Sequence, residues 1–337
     1  MNKTLLLGAV AATGIAGAAS AGTLDDVKAR GHLNCGVSTG LTGFSLPNAS
    51  GTWEGFDVAV CRAVAAAVFN DPNAVEFVPT TGQTRFTALA SGEIDMLARN
   101  TTWTFSRDVD LKFEFVGVNY YDGQGFMIPK ELGVSSAKDL DGATVCIQTG
   151  TTTELNLADF FRSNNISYEP VPIETNAEAQ QQYLAGACDV YTTDASGLAA
   201  TRATFEDPTA HVILPEIISK EPLGPLVRHG DNDWGDIVRW TLNALIAAEE
   251  YGVSSANIDE LAKGTDNPEI NRLLGTEGEL GGMLGLEPTW AQQAIKAGGN
   301  YGEIFEKNIG ESTPIGLARG LNGQWTNGGL LYAQPFR

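Results

Sequence analysis

Apolar residues recur along the chain with two different spacings, and these spacings predict its strands and helices. Short apolar runs at 33–38, 75–79 and 94–97 have the length and composition of buried strands. Between them, 56–69 and 84–92 place apolar side chains at helical spacing, and the second of these segments ends at a glycine. This alternation predicts a mostly parallel sheet with helices on its faces.

A second set of elements repeats the alternation further along the chain. Its predicted strands and helices are 143–149, 150–163, 168–172, 176–186, 189–193 and 195–205. The segments 119–128 and 218–230 flank this set, contain Gly or Pro, and are predicted to be extended connections. A further helix is predicted from Trp234 onward.

The two sets predict an α/β protein with two lobes, joined by two hinge crossings, with a ligand cleft between them. Lobe 1 is expected to comprise 22–118 and, after the chain returns, 223–337, which includes a C-terminal helical extension. Lobe 2 is expected to comprise 119–222 with a hinge segment at each end. In open α/β sheets ligands bind beyond the carboxyl ends of the strands, and the polar clusters described below fall at such ends.

Residues 1–21 are predicted to be a secretory signal peptide. Lys3 precedes the apolar run 5–18, and the small residues "ASAG" follow, so cleavage is expected after Ala21. The residue after the cut is Gly22, so no cysteine is there to carry a lipid. No later segment has the ~20 apolar residues that a membrane-spanning helix needs. We therefore expect a soluble protein of the periplasm.

Composition narrows the range of partners. A net charge of −20 and a pI near 4.4 argue against nucleic acid and anionic membranes as partners. The same acidity repels free anions, so an anion site must be built locally from arginines and backbone donors. The glycine run "GELGGMLG" is not preceded by a strand and is interpreted as a loop. No cofactor is predicted.

Four cysteines, Cys35, Cys61, Cys146 and Cys188, are expected to form disulfides in an oxidising compartment. Three connectivities are possible. Their positions on predicted elements favour one bridge in each lobe, Cys35–Cys61 and Cys146–Cys188, each worth roughly 3 kcal/mol. A metal site is the alternative, but no C-x-x-C motif occurs and the chain has only 3 histidines, so no metal is predicted.

The first polar cluster follows the strand at 94–97. Thr102 and Thr104 precede Arg107, and an arginine fork together with hydroxyl donors is suited to a carboxylate. The alternative is a surface arginine paired with Asp108 or Asp110, which is the better interpretation for any arginine taken singly.

The second cluster, "QTGTTTEL", ends a strand and begins a helix. Gly150 allows a turn, and Thr151 with Glu154 matches a capping box. N–H groups at such a helix start can bind an anion. Capping alone and anion binding are equally supported by the motif.

Two further residues are candidates. Asp194 directly follows a predicted strand and suits an ammonium group, although it is also a favoured N-cap for the helix beginning near Ala195. Arg85 opens a helix, where a cation opposes the helix dipole, or it is an ordinary surface residue. Together the clusters are complementary to a zwitterion, which carries both a carboxylate and an ammonium group. One arginine is then left over to bind the side chain of that zwitterion.

The order of these motifs resembles the solute-binding proteins of polar amino-acid ABC importers. The segments "GTWEGFDVAVCRAVA", "FTALASGEIDML", "TTWTFSRDVDLKFEF", "KDLDGATVCIQTGTTTE" and "AGACDVYTTD" carry the resemblance over about 31–230. The segment "TPIGLARGLNGQWTNGG" and the terminal "PFR" resemble the general L-amino-acid-binding proteins of Gram-negative bacteria. The resemblance implies the type II periplasmic binding protein fold.

The resemblance also implies ligand contacts. Arg107 would hold the α-carboxylate, together with Thr102 and Thr152. Asn100 would contribute to binding of the ammonium group, and Asp194 would pair with that group.

A side-chain carboxylate of the ligand would be bound by Arg85, with Arg99 as a possible second contact and Phe44 as an apolar wall. Relatives selective for cationic amino acids carry an Asp and an aromatic ring where this chain has Ser38 and Leu41. The resemblance therefore implies glutamate, glutamine, aspartate and asparagine as ligands, with wider tolerance open.

The implied partner is an inner-membrane ABC permease, and a monomer is expected. The alternative function is a periplasmic enzyme on the same fold, such as a dehydratase of cyclic amino-acid precursors, which needs a general acid or base in the cleft. None of His32, His211 and His229 lies in the motifs above, and no G-x-S-x-G or H-E-x-x-H occurs. A directly signalling sensory domain is disfavoured by the lack of a predicted membrane helix.

Overall fold

The structure, a computed structural model, describes residues 22–337. The predicted signal peptide, residues 1–21, lies outside the described residues. Strands occupy β1 Leu33–Ser38, β2 Leu46–Pro47, β3 Trp53–Glu54, β4 Val75–Thr80, β5 Met96–Leu97, β6 Phe113–Phe115, β7 Tyr120–Asp122, β8 Gln124–Pro129, β9 Ala143–Gln148, β10 Tyr168–Ile173, β11 Val190–Asp194, β12 His211–Ile213, β13 Glu221–Leu223 and β14 Leu226–Arg228.

α-Helices connect and cover these strands. They occupy α1 Thr23–Arg30, α2 Phe56–Phe69, α3 Arg85–Ser91, α4 Thr152–Asn164, α5 Asn176–Leu184, α6 Ala195–Arg202, α7 Asn232–Glu250, α8 Ile258–Leu261, α9 Pro268–Leu273, α10 Leu280–Met283, α11 Trp290–Gly298 and α12 Tyr301–Asn308. Within the described chain, no helix is both long enough and apolar enough to cross a membrane.

The first sheet has the strand order β4-β1-β5-β14-β6 and defines lobe 1. β1 runs parallel to β4 and β5, as the β-α-β-α-β pattern predicts. β14 comes from the returning chain and lies antiparallel between β5 and β6. A large apolar core between this sheet and α2, α7, α11 and α12 includes Val64, Leu245 and Phe305.

The second sheet has the order β10-β9-β11-β8-β12 and defines lobe 2. β9 pairs in parallel with β10 and β11, whereas β8 pairs antiparallel with β11 and β12. Two smaller apolar clusters hold its helices, one around Phe126 and Phe161 and the other around Tyr183 and Tyr191. The expected α/β fold with two lobes is confirmed.

The chain passes between the lobes through β7 and β13. These strands pair antiparallel, with Glu221 opposite Asp122 and Leu223 opposite Tyr120. They form a two-stranded ribbon that is separate from both large sheets. The two extended connections of the sequence are therefore neighbours in space.

Each lobe contains one disulfide. Cys35 of β1 is bonded to Cys61 of α2, with their Cα atoms 6.2 Å apart. Cys146 of β9 is bonded to Cys188, with a Cα separation of 5.6 Å. These are the pairs that the sequence favours.

The C-terminal segment packs on lobe 1 and reaches the crossing ribbon. α11 lies against α2 and α7. The Asn322 side chain accepts from the Tyr121 N–H (2.7 Å) and donates to the Tyr121 carbonyl (3.1 Å). The Tyr301 hydroxyl donates to the Asn119 carbonyl at 2.7 Å. The segment is therefore bonded directly to the crossing before lobe 2.

Candidate functional site

A polar cleft lies between the carboxyl ends of the parallel strands of the two sheets. Lobe 1 lines it with Ser38, Leu41, Arg85, Arg99, Asn100 and Thr102. Lobe 2 lines it with Gln148, Thr151, Thr152, Thr153, Asn176, Thr193, Asp194 and Gly197. The predicted candidates Arg85, Arg99, Asn100, Thr102, Thr152 and Asp194 are thus brought together.

The lobes touch each other across this cleft. The Gln83 side chain donates to the Thr149 hydroxyl at 3.0 Å, and Asn176 donates to the Gly40 carbonyl at 3.1 Å. A Cβ added to Gly82 would lie only 2.5 Å from the Thr149 carbonyl oxygen, so glycine is needed for this approach. The structure therefore has the two lobes closed on each other.

Three buried arginines beside the cleft have no ion-pair partner in the part of the chain that the structure describes. Arg85, Arg99 and Arg107 are 2%, 5% and 6% exposed. Within residues 22–337, no carboxylate oxygen lies within 4 Å of their guanidinium nitrogens. Unpaired buried charge is costly, so these groups call for an anion.

The arginines are held in place by neutral acceptors. Arg85 donates to the Thr101 hydroxyl (3.2 Å) and across the cleft to the Gly150 carbonyl (3.3 Å), while its buried Nε has no partner in the described chain. Arg99 donates from Nε to the Thr80 carbonyl at 3.0 Å.

Burial is the main reason why these arginines have lowered pKa values. It lowers the pKa of Arg99 to about 10, and that of Arg107 likewise to about 10. The pKa of Arg85 is also lowered, first by burial and then by repulsion from Arg99 and Arg107. An anion between the three guanidinium groups would relieve this repulsion.

Carboxylates also lie in and around the cleft. Asp194 lines the cleft, and its pKa is raised by burial and then by Asp122 and Glu221. Burial raises the pKa of Asp122 to about 6. An ammonium group would offset the repulsion among these carboxylates. The cleft therefore has a cationic side formed by Arg85 and Arg99 of lobe 1 and an acidic side formed by Asp194 of lobe 2.

Asp194 does not cap α6, although the sequence leaves that role open. Its side chain makes no capping hydrogen bond. Instead, the Asp122 carboxylate accepts from the N–H of Ser196, at 3.4 and 3.5 Å, and from that of Gly123 at 2.8 Å. A residue from the crossing ribbon thus takes the capping role, which leaves Asp194 available to the cleft.

The predicted capping box at Thr151 and Glu154 is wrong. The Thr151 hydroxyl donates to the Gln148 carbonyl at 2.6 Å and makes no capping bond, and Glu154 accepts from Gly150 N–H at 3.3 Å. The turn before α4 is stabilised by these bonds instead. The first turn of α4 faces the cleft with Thr152 and Thr153.

Asn100 has an unusual backbone that a buried aspartate supports. Its φ of 37° lies in the left-handed region. Its N–H donates to the Asp57 carboxylate at 3.2 Å. Asp57 is 3% exposed, and burial raises its pKa to about 6. The "GFD" segment therefore positions a cleft residue, a role that the sequence does not reveal.

Two predicted contacts do not line the cleft. Phe44 is fully buried in lobe 1, with its ring 6.1 Å from Phe56 and 5.8 Å from Tyr120, so the predicted apolar wall is wrong. Arg107 lies behind Thr102, donates to its carbonyl at 2.8 Å and stacks over the Phe86 ring at 5.1 Å. Its contact with a ligand carboxylate stays a prediction.

Glu221 of β13 is a buried polar residue that the sequence analysis misses. It is 1% exposed and accepts hydrogen bonds from cleft residues of both lobes. Its strand has three residues, which is too short for a periodic signal. Among the described residues, no group of three or more His, Cys, Asp or Glu is arranged to hold a metal ion.

Comparisons with known proteins identify the family. The family described as "Bacterial extracellular solute-binding proteins, family 3" matches residues 33–256. The chain is 68% identical to the glutamate/glutamine/aspartate/asparagine-binding protein BztA of Rhodobacter capsulatus, over the full length of both. It is 58% identical to the general L-amino acid-binding periplasmic protein AapJ of Rhizobium johnstonii, again over both full lengths.

A solved structure agrees with these relatives. An ABC transporter/periplasmic binding protein from Brucella ovis with glutathione bound is 57% identical and superposes with a TM-score of 0.91, covering 94% of this chain and 100% of that one. The fold is the type II periplasmic binding protein fold, and the resemblance inferred from the sequence is confirmed. The chain belongs to the bacterial extracellular solute-binding proteins, family 3.

Proposed function

We propose that this protein binds L-amino acids in the periplasm, with glutamate, glutamine, aspartate and asparagine as the preferred ligands, and delivers them to an ABC importer. Its role is binding without catalysis. The relatives BztA and AapJ are amino-acid-binding proteins by name, and they match this chain over its whole length.

The observation that carries the proposal is the set of three buried arginines without a carboxylate partner in residues 22–337. Arg85 and Arg99 line the cleft. Arg107 does not line it, but donates a hydrogen bond to the carbonyl of Thr102, which does. A ligand carboxylate would supply the missing charge and could be held by a bidentate arginine contact. Burial would strengthen this attraction, because water screens it less.

The acidic side supports an ammonium group on the same ligand. Asp194 lines the cleft and has no capping bond. Its burial near Asp122 and Glu221 makes a cationic partner favourable. An arginine side and an aspartate side in one cleft suit an α-amino acid.

The polar lining supports acidic and amide side chains. Gln148 and Asn176 lie in the cleft with the arginines, and no aromatic ring from residues 22–337 lines it. Ser38 and Leu41 provide no carboxylate for a cationic side chain. We expect Arg85 and Arg99 to bind a side-chain carboxylate or amide oxygen.

Delivery to the importer requires that ligand-bound and ligand-free protein differ in the arrangement of their lobes. We propose that the lobes, with boundaries near residues 119 and 222, rotate about the ribbon of β7 and β13, and that ligand stabilises the closed arrangement. The permease would then recognise closed protein in preference to open protein.

The test is a thermal-shift panel on residues 22–337, unfolded and refolded to remove carried-over ligand, against each common L-amino acid and against glutathione. Ligand at 100 times its Kd adds ~2.7 kcal/mol to the free energy of unfolding. The largest Tm increases are expected with glutamate, glutamine, aspartate and asparagine. No increase with any amino acid would contradict the proposal, and a response to glutathione alone would replace it with a peptide-binding function.

A further inference from the structure

Glu221 links the two lobes through a single carboxylate. Its strand β13 belongs to the crossing ribbon, which is separate from both large sheets. The carboxylate accepts from Thr102, which follows β5 of lobe 1, and from Thr152 and Asn156 of α4 in lobe 2. Ser219, on the same connection, is the fourth donor. All four donors are neutral side chains.

The two carboxylate oxygens have separate roles. Oε1 accepts from Asn156 Nδ2 at 2.7 Å and from the Ser219 hydroxyl at 2.6 Å, and neither residue lines the cleft. Oε2 accepts from the hydroxyls of Thr102 and Thr152, the latter at 3.0 Å, and both threonines line the cleft. Oε1 therefore anchors the carboxylate, while Oε2 bonds to two side chains that line the cleft.

This arrangement fixes the direction of the threonine hydrogen bonds. An ionised carboxylate has no hydrogen, so each contact uses a hydrogen of the partner. A threonine hydroxyl has one hydrogen and two lone pairs. The two hydroxyl oxygens are 3.3 Å apart. When both hydrogens point to Oε2, only lone pairs remain for the cleft.

We propose that Glu221 is a positioning residue that orients the Thr102 and Thr152 hydroxyls as hydrogen-bond acceptors for the ligand's ammonium group. The inference rests on the proposed function, because it requires an amino-acid ligand. Thr102 and Thr152 then act on the ammonium together with Asp194, and any contact that they make with a carboxylate comes from backbone N–H groups.

The same geometry makes the acceptor pair depend on closure. Thr102 follows a strand of lobe 1 and Thr152 begins a helix of lobe 2. Because they belong to different lobes, we expect both to reach the same oxygen only when the lobes are together. Closure of the lobes therefore brings together the two hydroxyls of the ammonium site. Glu221 connects these hydroxyls to the crossing ribbon, to which its own strand belongs.

The experiment is a double-mutant cycle on ligand affinity, measured by calorimetry with glutamate and glutamine. Glu221→Gln keeps the shape, but its amide can donate to the threonines and turn their hydrogens toward the ligand. We expect about a tenfold to hundredfold loss of affinity. The loss should persist in a Thr102→Ser background, which keeps the hydroxyl, and should shrink severalfold in a Thr102→Val background, which removes it.

Three results would overturn the proposal. Equal losses in the serine and valine backgrounds would mean that Glu221 acts on the structure generally. Unchanged affinity would remove any role in binding. Increased affinity would mean that Glu221 competes with the ligand carboxylate.

Two further measurements keep the test decisive. If Glu221→Gln fails to fold, Asn156→Ala is used instead, because it removes one donor that anchors the Glu221 carboxylate. We expect a severalfold loss of ligand affinity that depends on the Thr102 hydroxyl. A loss of affinity that is independent of this hydroxyl contradicts the proposal. A wild-type protein that binds no amino acid would overturn the proposed function as well. Binding by wild type with no coupling to Thr102 would overturn this inference alone.

Discussion

The role of each cleft side chain depends on the bonds that it already makes. Asp194 is available to a ligand because Asp122 caps α6 in its place. The sequence places Asp194, Thr102 and Thr152 at the ends of predicted elements, and from those positions a shared cleft can be predicted. It does not show which neighbour satisfies each polar group, because such partners come from residues distant along the chain.

Arg85 is expected to discriminate between acidic and neutral ligands. Arg85→Ala should weaken the binding of glutamate and aspartate by ~2–5 kcal/mol when the contact is desolvated. The binding of glutamine and asparagine should be weakened by less, because only the acidic ligands lose a charge pair. Calorimetric Kd values for the four ligands would measure the difference. Arg162→Ala, whose side chain is 79% exposed, is the control. Equal losses for all four ligands would indicate a purely structural role.

Asp194 is expected to destabilise the ligand-free protein and to strengthen the binding of amino acids. Asp194→Asn removes a carboxyl group whose pKa is raised by burial and by Asp122, and with it the cost of burying the ionised form, so the Tm of ligand-free protein should increase. Affinity for amino acids should fall at least tenfold, because the ammonium loses its charged partner. Thermal unfolding and calorimetry test the two effects. Asp159→Asn, at an exposed site, is the control and should change neither the Tm nor the affinity. A lowered Tm for Asp194→Asn would contradict the prediction.

Ligand binding is expected to release protons at mildly acidic pH. Burial raises the pKa of Asp122 to about 6, and the pKa of Asp194 is also raised. An ammonium favours the ionised forms, so affinity should fall as the pH is lowered from 7 to 5. Calorimetry at pH 6 in buffers with different ionisation enthalpies measures the protons released. A binding heat independent of the buffer would contradict this prediction.

At the scale of elements, long segments are predictable and short ones are not. The helix predicted at 56–69 has those same bounds in α2, since its apolar residues keep helical spacing to the end. The strand predicted at 94–97 is only Met96–Leu97 in β5. The three-residue strands β7 and β13 place Asp122 and Glu221 beside the site, and three residues are too few to show a period.

Each disulfide joins elements of one lobe, and lobe 2 is expected to depend on its bridge more strongly. Its apolar clusters are smaller than the core of lobe 1. Replacing both Cys146 and Cys188 by serine should lower the free energy of unfolding by roughly 3 kcal/mol. Urea unfolding followed by circular dichroism measures this change. The Cys35→Ser/Cys61→Ser protein is the matched comparison, and a larger loss there would contradict the ranking.

At the scale of the whole molecule, the C-terminal segment supports the crossing between the lobes. The family match ends at residue 256, yet Asn322 bonds both backbone groups of Tyr121, and Tyr301 bonds the Asn119 carbonyl. The sequence predicts this segment only as helical and glycine-rich. Its packing could not be predicted because its partners lie about two hundred residues earlier in the chain.

Asn322 is expected to stabilise the crossing. Asn322→Ala removes the partners of two backbone groups, so the free energy of unfolding should fall by ~1–3 kcal/mol. Urea unfolding gives the value, and Asn327→Ala at an exposed position is the control. An Asn322→Ala protein as stable as the control would show that water replaces these bonds without cost.

The position of β14 has a consequence for the order in which the two lobes fold. This strand, Leu226–Arg228, lies inside the first sheet between β5 and β6, whereas the second sheet is formed from one continuous stretch, Gln124 to Ile213. A chain that becomes available for folding with its N-terminus first can complete lobe 2 while lobe 1 still lacks a strand. We therefore expect the lobe encoded in the middle of the chain to mature first, and the lobe that holds the N-terminus to mature last.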